Sequence, residues 1–453
     1  MKGTKARGQS MTEGVIYKQL LAFFFPILLG TLFQQLYNTV DAIVVGRFVG
    51  KEALAAVGGS AAQISNLIIG FFVGLSSGTA VIISQYFGAH DDDGVSRATH
   101  TAICLAVCAG LLMTALGILT APGLLRLMHT PKEILPGSTQ YLRILFLAMV
   151  PSMVYNVGSG VLRAVGDSRR PLYFLIFACL VNVALDILFV IAFHMSVAGV
   201  AIATALAQLA AAALIVVSLG RVDGAHRLRR SALRIDRDIL LRTLRIGLPS
   251  GLQAVLYSLS NMVITTTING FGTATVAAWV SLGKIDGLFW MINNAFGVSI
   301  MTFAGQNYGA RKFDRIRKGL LTCGAMALAA AMLFGAVFFI FAVALFSLFT
   351  QDGEVLQIAL EMMRHIAPWY WLFVPIEMIS GSLRGMGNTL IPTLITAVGI
   401  CLFRVFWMFA VVPNWLEIRA ITISYPISWL LTGAVFIAYY LWMRKRLFEH
   451  NSL

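Results

Sequence analysis

The chain has 453 residues, 58% of them hydrophobic and 12% charged, with a formal net charge of +14 and a mean hydropathy of +0.82. Soluble domains carry about 25% charged residues, so this composition excludes a water-soluble globular protein and specifies a polytopic membrane protein. The basic balance alone would suit a nucleic-acid binder, but no recognition module or aromatic platform accompanies it.

The opening residues, MKGTKARGQS, are basic. They are not followed by a short apolar core and a small-residue cleavage site, so the first apolar stretch reads as a retained span. Twelve stretches are long and apolar enough to cross a bilayer, centred near Leu32, Ile69, Ala109, Met149, Val181, Leu209, Ile264, Ile292, Phe334, Trp371, Ile400 and Thr432. The predicted fold class is therefore all-α. The longest connection, Gly220 to Asp238, is rich in arginine and follows the sixth span. It divides an N-terminal lobe (1–219) from a C-terminal lobe (239–453), with 220–238 as a basic cytoplasmic linker.

Lysine and arginine in short loops set orientation. With the N-terminus inside, the cytoplasmic side holds Lys2, Lys5, Arg7, Arg97, Arg163, Arg169 and Arg170. It also holds the linker, Arg311 to Lys318, Arg384, and Arg444 to Arg446. The outer side keeps Arg47, Lys51, Arg126, Lys132 and Arg419. That asymmetry places both termini in the cytoplasm and accounts for the net charge as a topology signal. The five cysteines (Cys104, Cys108, Cys179, Cys323, Cys401) fall in apolar stretches without CxxC spacing and read as small buried hydrophobes.

The first span carries the most informative pattern. Gln34, Tyr37, Asn38 and Asp41 are spaced three, four and seven residues from the first, which puts them on one helix face. A carboxylate in the membrane is costly, roughly 2.5–3.5 kcal/mol on the lenient insertion scale, so that face is aimed at protein or water. Pro26 lacks an N–H and weakens the helical ladder of the same span, which makes it a candidate hinge. On the second span Gly70, Gly74 and Gly78 form a small-residue stripe suited to close helix packing. The fourth span offers Tyr155 and Asn156. The fifth offers Asn182 and Asp186, four apart and hence on one face. Asp41, Asn156, Asn182 and Asp186 supply hard oxygen donors for Na⁺, or a place to hold a proton. The alternative for these residues is a buried polar network that only fixes packing.

The chain also repeats itself. QYFGA (Gln85, Gly88, Ala89) returns as QNYGA (Gln306, Gly309, Ala310), LRAVG (Arg163, Gly166) as LRGMG (Arg384, Gly387), and Pro171 as Pro392, all displaced by 221 residues. Near the start of each half Pro26 answers Pro249 and Asn38 answers Asn261, displaced by 223. Six spans per copy insert both halves the same way up, related by an axis along the membrane normal, with a cavity between them. Asp41, Asn182 and Asp186 correspond to Ile264, Phe403 and Trp407, so the acid cluster is expected in the N-terminal lobe alone.

These features together resemble the multidrug and toxic compound extrusion (MATE) transporters, and within them the prokaryotic NorM/DinF-like branch. The resemblance runs over nearly the whole chain. It implies two pseudo-symmetric six-helix bundles and an exporter of organic cations or related amphipathic compounds, coupled to H⁺ or Na⁺. It also implies a cation site of a first-helix Asp, a fourth-helix Asn and an Asn-x-x-x-Asp pair, which Asp41, Asn156, Asn182 and Asp186 match. Some relatives carry an acid on the seventh helix after the GLP turn. Here Gly247-Leu248-Pro249 is followed by Gln253 and Tyr257, which argues against a second cation site in the C-terminal lobe.

Candidate cavity residues are Gln34, Tyr37, Asn38, Tyr155, Tyr257, Lys284, Asn293, Asn294 and Glu377, with Phe33, Trp290 and Met291 as apolar or aromatic wall. Lys284 and Asp286 are two apart and do not share a helix face, so each is expected to meet another helix. Arg404 on the eleventh span is expected to pair structurally. No HExxH or mid-membrane His–Asp pair suggests an intramembrane enzyme. The reading is a monomeric transporter of the bacterial cytoplasmic membrane, with no cofactor beyond its coupling ion. Its partners are a small amphipathic substrate and the lipid bilayer. The alternative is a flippase for lipid-linked precursors, which would want a cavity rich in arginine and lysine.

Overall fold

The computed structural model describes residues 10–449, the side chains of 445–449 excepted. Lys2, Lys5, Arg7 and His450 lie outside the described residues, as do the side chains of Lys445 and Arg446. The regular elements of the described residues are all helices, because a backbone in lipid must satisfy its own N–H and C=O groups. Successive passes are Ile16–Val49, Lys51–Gly88, Asp92–Leu127, the bent pair Leu135–Leu147 and Met149–Ala164, Arg169–Ala192 and Ser196–Arg221. The second set is Arg237–Asn269, Thr273–Gly309 and Phe313–Ile340, then Gly353–Ile366 with its continuation to Gly385, Leu390–Asn414 and Ile418–Arg444. They are numbered here as spans 1 to 12. Nine of these, or ten with the bent pair, are apolar enough to cross a membrane on hydropathy alone among the described residues. Spans 7 and 10 fall outside that set; they carry Arg237, Arg242 and Arg245, and Glu361, Arg364 and His365.

The duplication is visible in the backbone. Ala89 N–H donates to Gln85 C=O at 2.9 Å and Ala310 N–H to Gln306 C=O at 3.0 Å, so QxxGA ends spans 2 and 8 the same way. The residues that follow, His90 and Arg311, take φ of 59° and 56°. Gly166 and Gly387 close spans 4 and 10 at φ 90° and 91°, a conformation that favours glycine. Span 4 bends by 49° around Ala148, and span 10 passes through a 3₁₀ stretch, Ala367–Phe373, at the corresponding place. The two halves differ in where a π-helical turn falls. In span 5 it is Ile187–Ala192, directly after Asp186; in span 11 it is Ala397–Leu402, just before Arg404.

By its contacts the chain divides into two units, one comprising Phe25–Gly251 and the other Met11–Phe24 with Leu252–Leu453. The change of unit within span 1 falls beside Pro26, which the helix Ile16–Val44 carries in its interior. In the first unit the span 2 glycines serve close approach. A Cβ on Gly74 would lie 2.6 Å from Gly251 Cα, and one on Gly78 would lie 2.5 Å from the Thr243 carbonyl oxygen. The linker is strapped to span 3. Arg97 pairs with Asp236 at 3.2 Å, Asp236 N–H donates to Thr101 Oγ1 at 3.0 Å, and Arg229 N–H donates to His100 Nε2 at 3.0 Å. In the second unit the segment before span 1 is held by the QNYGA region. Met11 N–H donates to Gln306 Oε1 at 2.8 Å, and Lys312 Nζ donates to the Thr12 carbonyl at 3.0 Å.

Candidate functional site

Span 1 delivers Asp41 one turn before its π-helical end, Val45–Val49, and span 5 delivers Asp186 at the last residue of its regular helix. The two carboxyls are neighbours, with the Thr204 hydroxyl of span 6 beside Asp41. The Tyr37 and Tyr141 phenols lie close to both acids. Asp41 is 7% exposed, and Asn182 and Asp186 are 0% exposed. Val44, Val45, Val190, Val197 and Val200 of spans 1, 5 and 6 form an apolar floor with Ala53 and Ala56 of span 2, and Tyr141 packs against it. Asp41 Oδ1, both carboxylate oxygens of Asp186 and both amide atoms of Asn182 have no hydrogen-bond partner of regular geometry, and the Thr204 hydroxyl faces Asp41 and Tyr37. Buried polar atoms are rarely left so. A cluster of hard oxygen donors left this way fits a small cation or a shared proton.

The other sequence-selected residues divide. Tyr37 joins the acid pair, while Gln34 and Asn38 remain exposed. Asn156 donates to the Ser152 carbonyl of its own helix at 2.9 Å. Tyr155 donates to the Pro171 carbonyl at 3.2 Å.

The second unit holds a cavity of about 600 Å³ that includes Tyr257, Asp286, Trp290, Asn293, Asn294, Glu377 and Arg404 in its lining. Lys284 is exposed and does not line it. Asp286 accepts from Trp290 Nε1 at 2.6 Å and from the Tyr370 hydroxyl, so it meets span 10, as the sequence spacing predicts. Glu377 pairs with Arg384 two helical turns on at 3.5 Å. Gly297 of span 8 leaves room for that carboxylate, since a Cβ there would collide with Glu377 Oε1.

Sequence reasoning missed Thr204, Tyr141 and Tyr370. Thr204 and Gln208 stand four apart in the alanine-rich AIATALAQL and each has a buried side-chain oxygen. Two polar residues on one face of an otherwise apolar helix are the signal that would have found them. Tyr370 stands in the aromatic run WYWLF, and Tyr141 is a single tyrosine in the first arm of span 4, so neither carries a comparable signal.

The model of the MatE family matches residues 26–188 and again residues 249–409, one match per half of the chain. The probable multidrug resistance protein YoeA of Bacillus subtilis is 28% identical over 97% of this chain and 97% of its own length. The probable multidrug resistance protein NorM of Thermotoga maritima is 23% identical over 85% of this chain and 83% of its own. Among solved structures, a MATE protein in the bent conformation has a TM-score of 0.93 at 23% identity, covering 99% of this chain and 100% of that one. An outward-facing multidrug resistance MATE transporter has a TM-score of 0.91 at 24% identity, with 100% of both chains covered. The fold of twelve helices in two six-helix bundles is shared from end to end.

Proposed function

The chain belongs to the MatE family of multidrug efflux transporters, a transporter and not an enzyme, and from that premise we propose that it is an H⁺- or Na⁺-coupled antiporter of amphipathic or cationic compounds. Its place is the bacterial cytoplasmic membrane, with both termini inside, as the arginine and lysine bias of the loops supports. It works as a monomer without a cofactor. The observation that carries the reading is the Asp41–Asp186 pair, buried side by side with partnerless oxygens.

Two like charges at close range disfavour simultaneous ionisation. One proton or one Na⁺ between the two carboxyls relieves that repulsion, and Asn182 and Thr204 complete an oxygen-rich shell. Cation binding drives a conformational change only by favouring one state over the other. In this reading neutralising Asp41 removes the reason for span 1 to present that face, and span 1 bends about Pro26, where the ladder lacks a donor. The bend narrows the space beside the acid pair and expels substrate outward.

Reconstituted protein tests this directly. With a pH or an Na⁺ gradient imposed separately, wild-type proteoliposomes export ethidium under at least one of them, and Asp41→Asn exports under neither while keeping its helical circular dichroism. Gradient-driven export by Asp41→Asn at the wild-type rate overturns the proposal.

A further inference from the structure

The linker between spans 6 and 7 is ordered by its own bonds. Leu228 N–H donates to the Leu219 carbonyl at 2.9 Å, and Arg227 Nε to the Gly220 carbonyl at 3.1 Å. Asp236 is used twice: one oxygen caps span 7 through the Asp238 and Ile239 N–H groups, and the other takes Arg97. Residues 227–237 hold five arginines and that one acid. The side chains of Arg229, Arg230, Arg234 and Arg237 are exposed and form no ion pair among the described residues. Leu233 and Ile235, set among them, are 43% and 48% exposed. Orientation in a membrane needs the charge of a loop, but neither an ordered backbone nor exposed aliphatic side chains. The depth of the linker follows from span 3, to which it is tied at Arg97, His100 and Thr101. A helix of 36 residues is about 54 Å long against a hydrocarbon core of about 30 Å, so about eight residues project at each end. Arg97 to Thr101 are the sixth to tenth residues of Asp92–Leu127, at the boundary of headgroups and acyl chains.

We propose that this linker is a docking surface for anionic phospholipid of the adjoining leaflet, with Arg229, Arg230, Arg234 and Arg237 on the phosphates and Leu233 and Ile235 among the acyl chains. The planar guanidinium fork matches a phosphate in geometry and charge. Cations clustered just outside a span draw anionic lipid, because their attraction acts within a Debye length of the charged surface. Aliphatic side chains beside them gain from acyl chains and gain nothing from a soluble phosphate. A nucleic acid would also supply phosphates, but it would leave Leu233 and Ile235 in water. The orientation proposed for the chain makes that leaflet the cytoplasmic one; the docking itself does not depend on transport.

Native mass spectrometry of the full chain, titrated with phosphatidylglycerol or phosphatidylcholine of identical acyl chains, tests lipid binding with no transport step. Wild type binds phosphatidylglycerol more tightly than phosphatidylcholine, by about fivefold for each arginine engaged. The combined variant Arg229→Gln, Arg230→Gln, Arg234→Gln and Arg237→Gln loses that preference. A control that removes three exposed cations near the start of span 9, Arg311→Gln, Arg317→Gln and Lys318→Gln, keeps it. An unchanged melting temperature shows that the combined variant is folded; should it not fold, the pairs 229/230 and 234/237 made separately each show part of the loss. In nanodiscs, amide exchange over 229–237 slows when phosphatidylglycerol is added to phosphatidylcholine, and Leu233→Ser with Ile235→Ser reduces that slowing. Equal affinity of wild type for the two lipids overturns the proposal, as does an equal loss in the control variant. So does displacement of bound phosphatidylglycerol by millimolar glycerol 1-phosphate or by an RNA oligonucleotide, which would assign the arginines to a soluble phosphate or to nucleic acid.

Discussion

Asp41 and Asp186 meet where two regular helices give way to π-helical turns, Val45–Val49 beyond the first and Ile187–Ala192 beyond the second. A π turn shifts the i→i−4 ladder by one residue, and such turns concentrate at functional sites. Here they lie immediately beyond the acids, beside the valine floor, so a change at either carboxyl acts on helix already out of regular register.

Thr204 is the test of whether the pair is a coordination site and not packing alone. Thr204→Val keeps shape and removes one oxygen. The expected result is about a tenfold rise in the cation concentration that half-saturates efflux, with little change in the maximal rate. Asp186→Asn should instead lower gradient-driven efflux about tenfold or more. Stopped transport assays over a range of Na⁺ and pH separate the two effects.

The close approach of Gly78 to the Thr243 carbonyl predicts a packing cost. Gly78→Ala should destabilise the protein by about 1–3 kcal/mol, read as a lower melting temperature in detergent. Gly123→Ala, where an added Cβ meets nothing within 4 Å, is the matched control and should leave melting unchanged.

Gly166 and Gly387 predict equal behaviour from two places 221 residues apart, since both sit near φ 90°. Alanine at either position should cost about 1 kcal/mol or more through backbone strain. Paired thermal melts check this. A harmless substitution at only one of the two would show that the halves have diverged in that turn.

The linker carries a pH dependence. His226 is buried, and that burial, with the Arg170 guanidinium nearby, pushes its imidazole down to about 4 against a smaller opposing pull from Asp167. The ordinary value is about 6.5, so a released linker takes up the proton first as pH falls. The contribution of His226 to holding the linker is full above about pH 6.5 and is lost between there and about pH 4. Hydrogen exchange over 222–236, corrected for intrinsic rates, should quicken from pH 7 to pH 5 in wild type. In His226→Gln that pH dependence should flatten.

Membrane passes, their repetition and the one-sided acid cluster were legible in the linear chain, because hydropathy, turn glycines and polar spacing along one helix are local properties. Asp41, Asn182 and Asp186 announced themselves as polar groups in apolar runs. Which groups meet across helices was decided only by the tertiary structure. Thr204 reaches Asp41 from span 6, Tyr370 reaches Asp286 from span 10, and Asn156 turns to its own backbone. Helical periodicity specifies the face on which a side chain stands. The partner that face meets depends on helix crossing and rotation, which small-residue contacts such as Gly74 against Gly251 determine. Arg404 shows the difference most plainly: its charge is written in the chain, but its partners, Ser428 Oγ at 3.0 Å and the Tyr425 ring, are met only once spans 11 and 12 are packed.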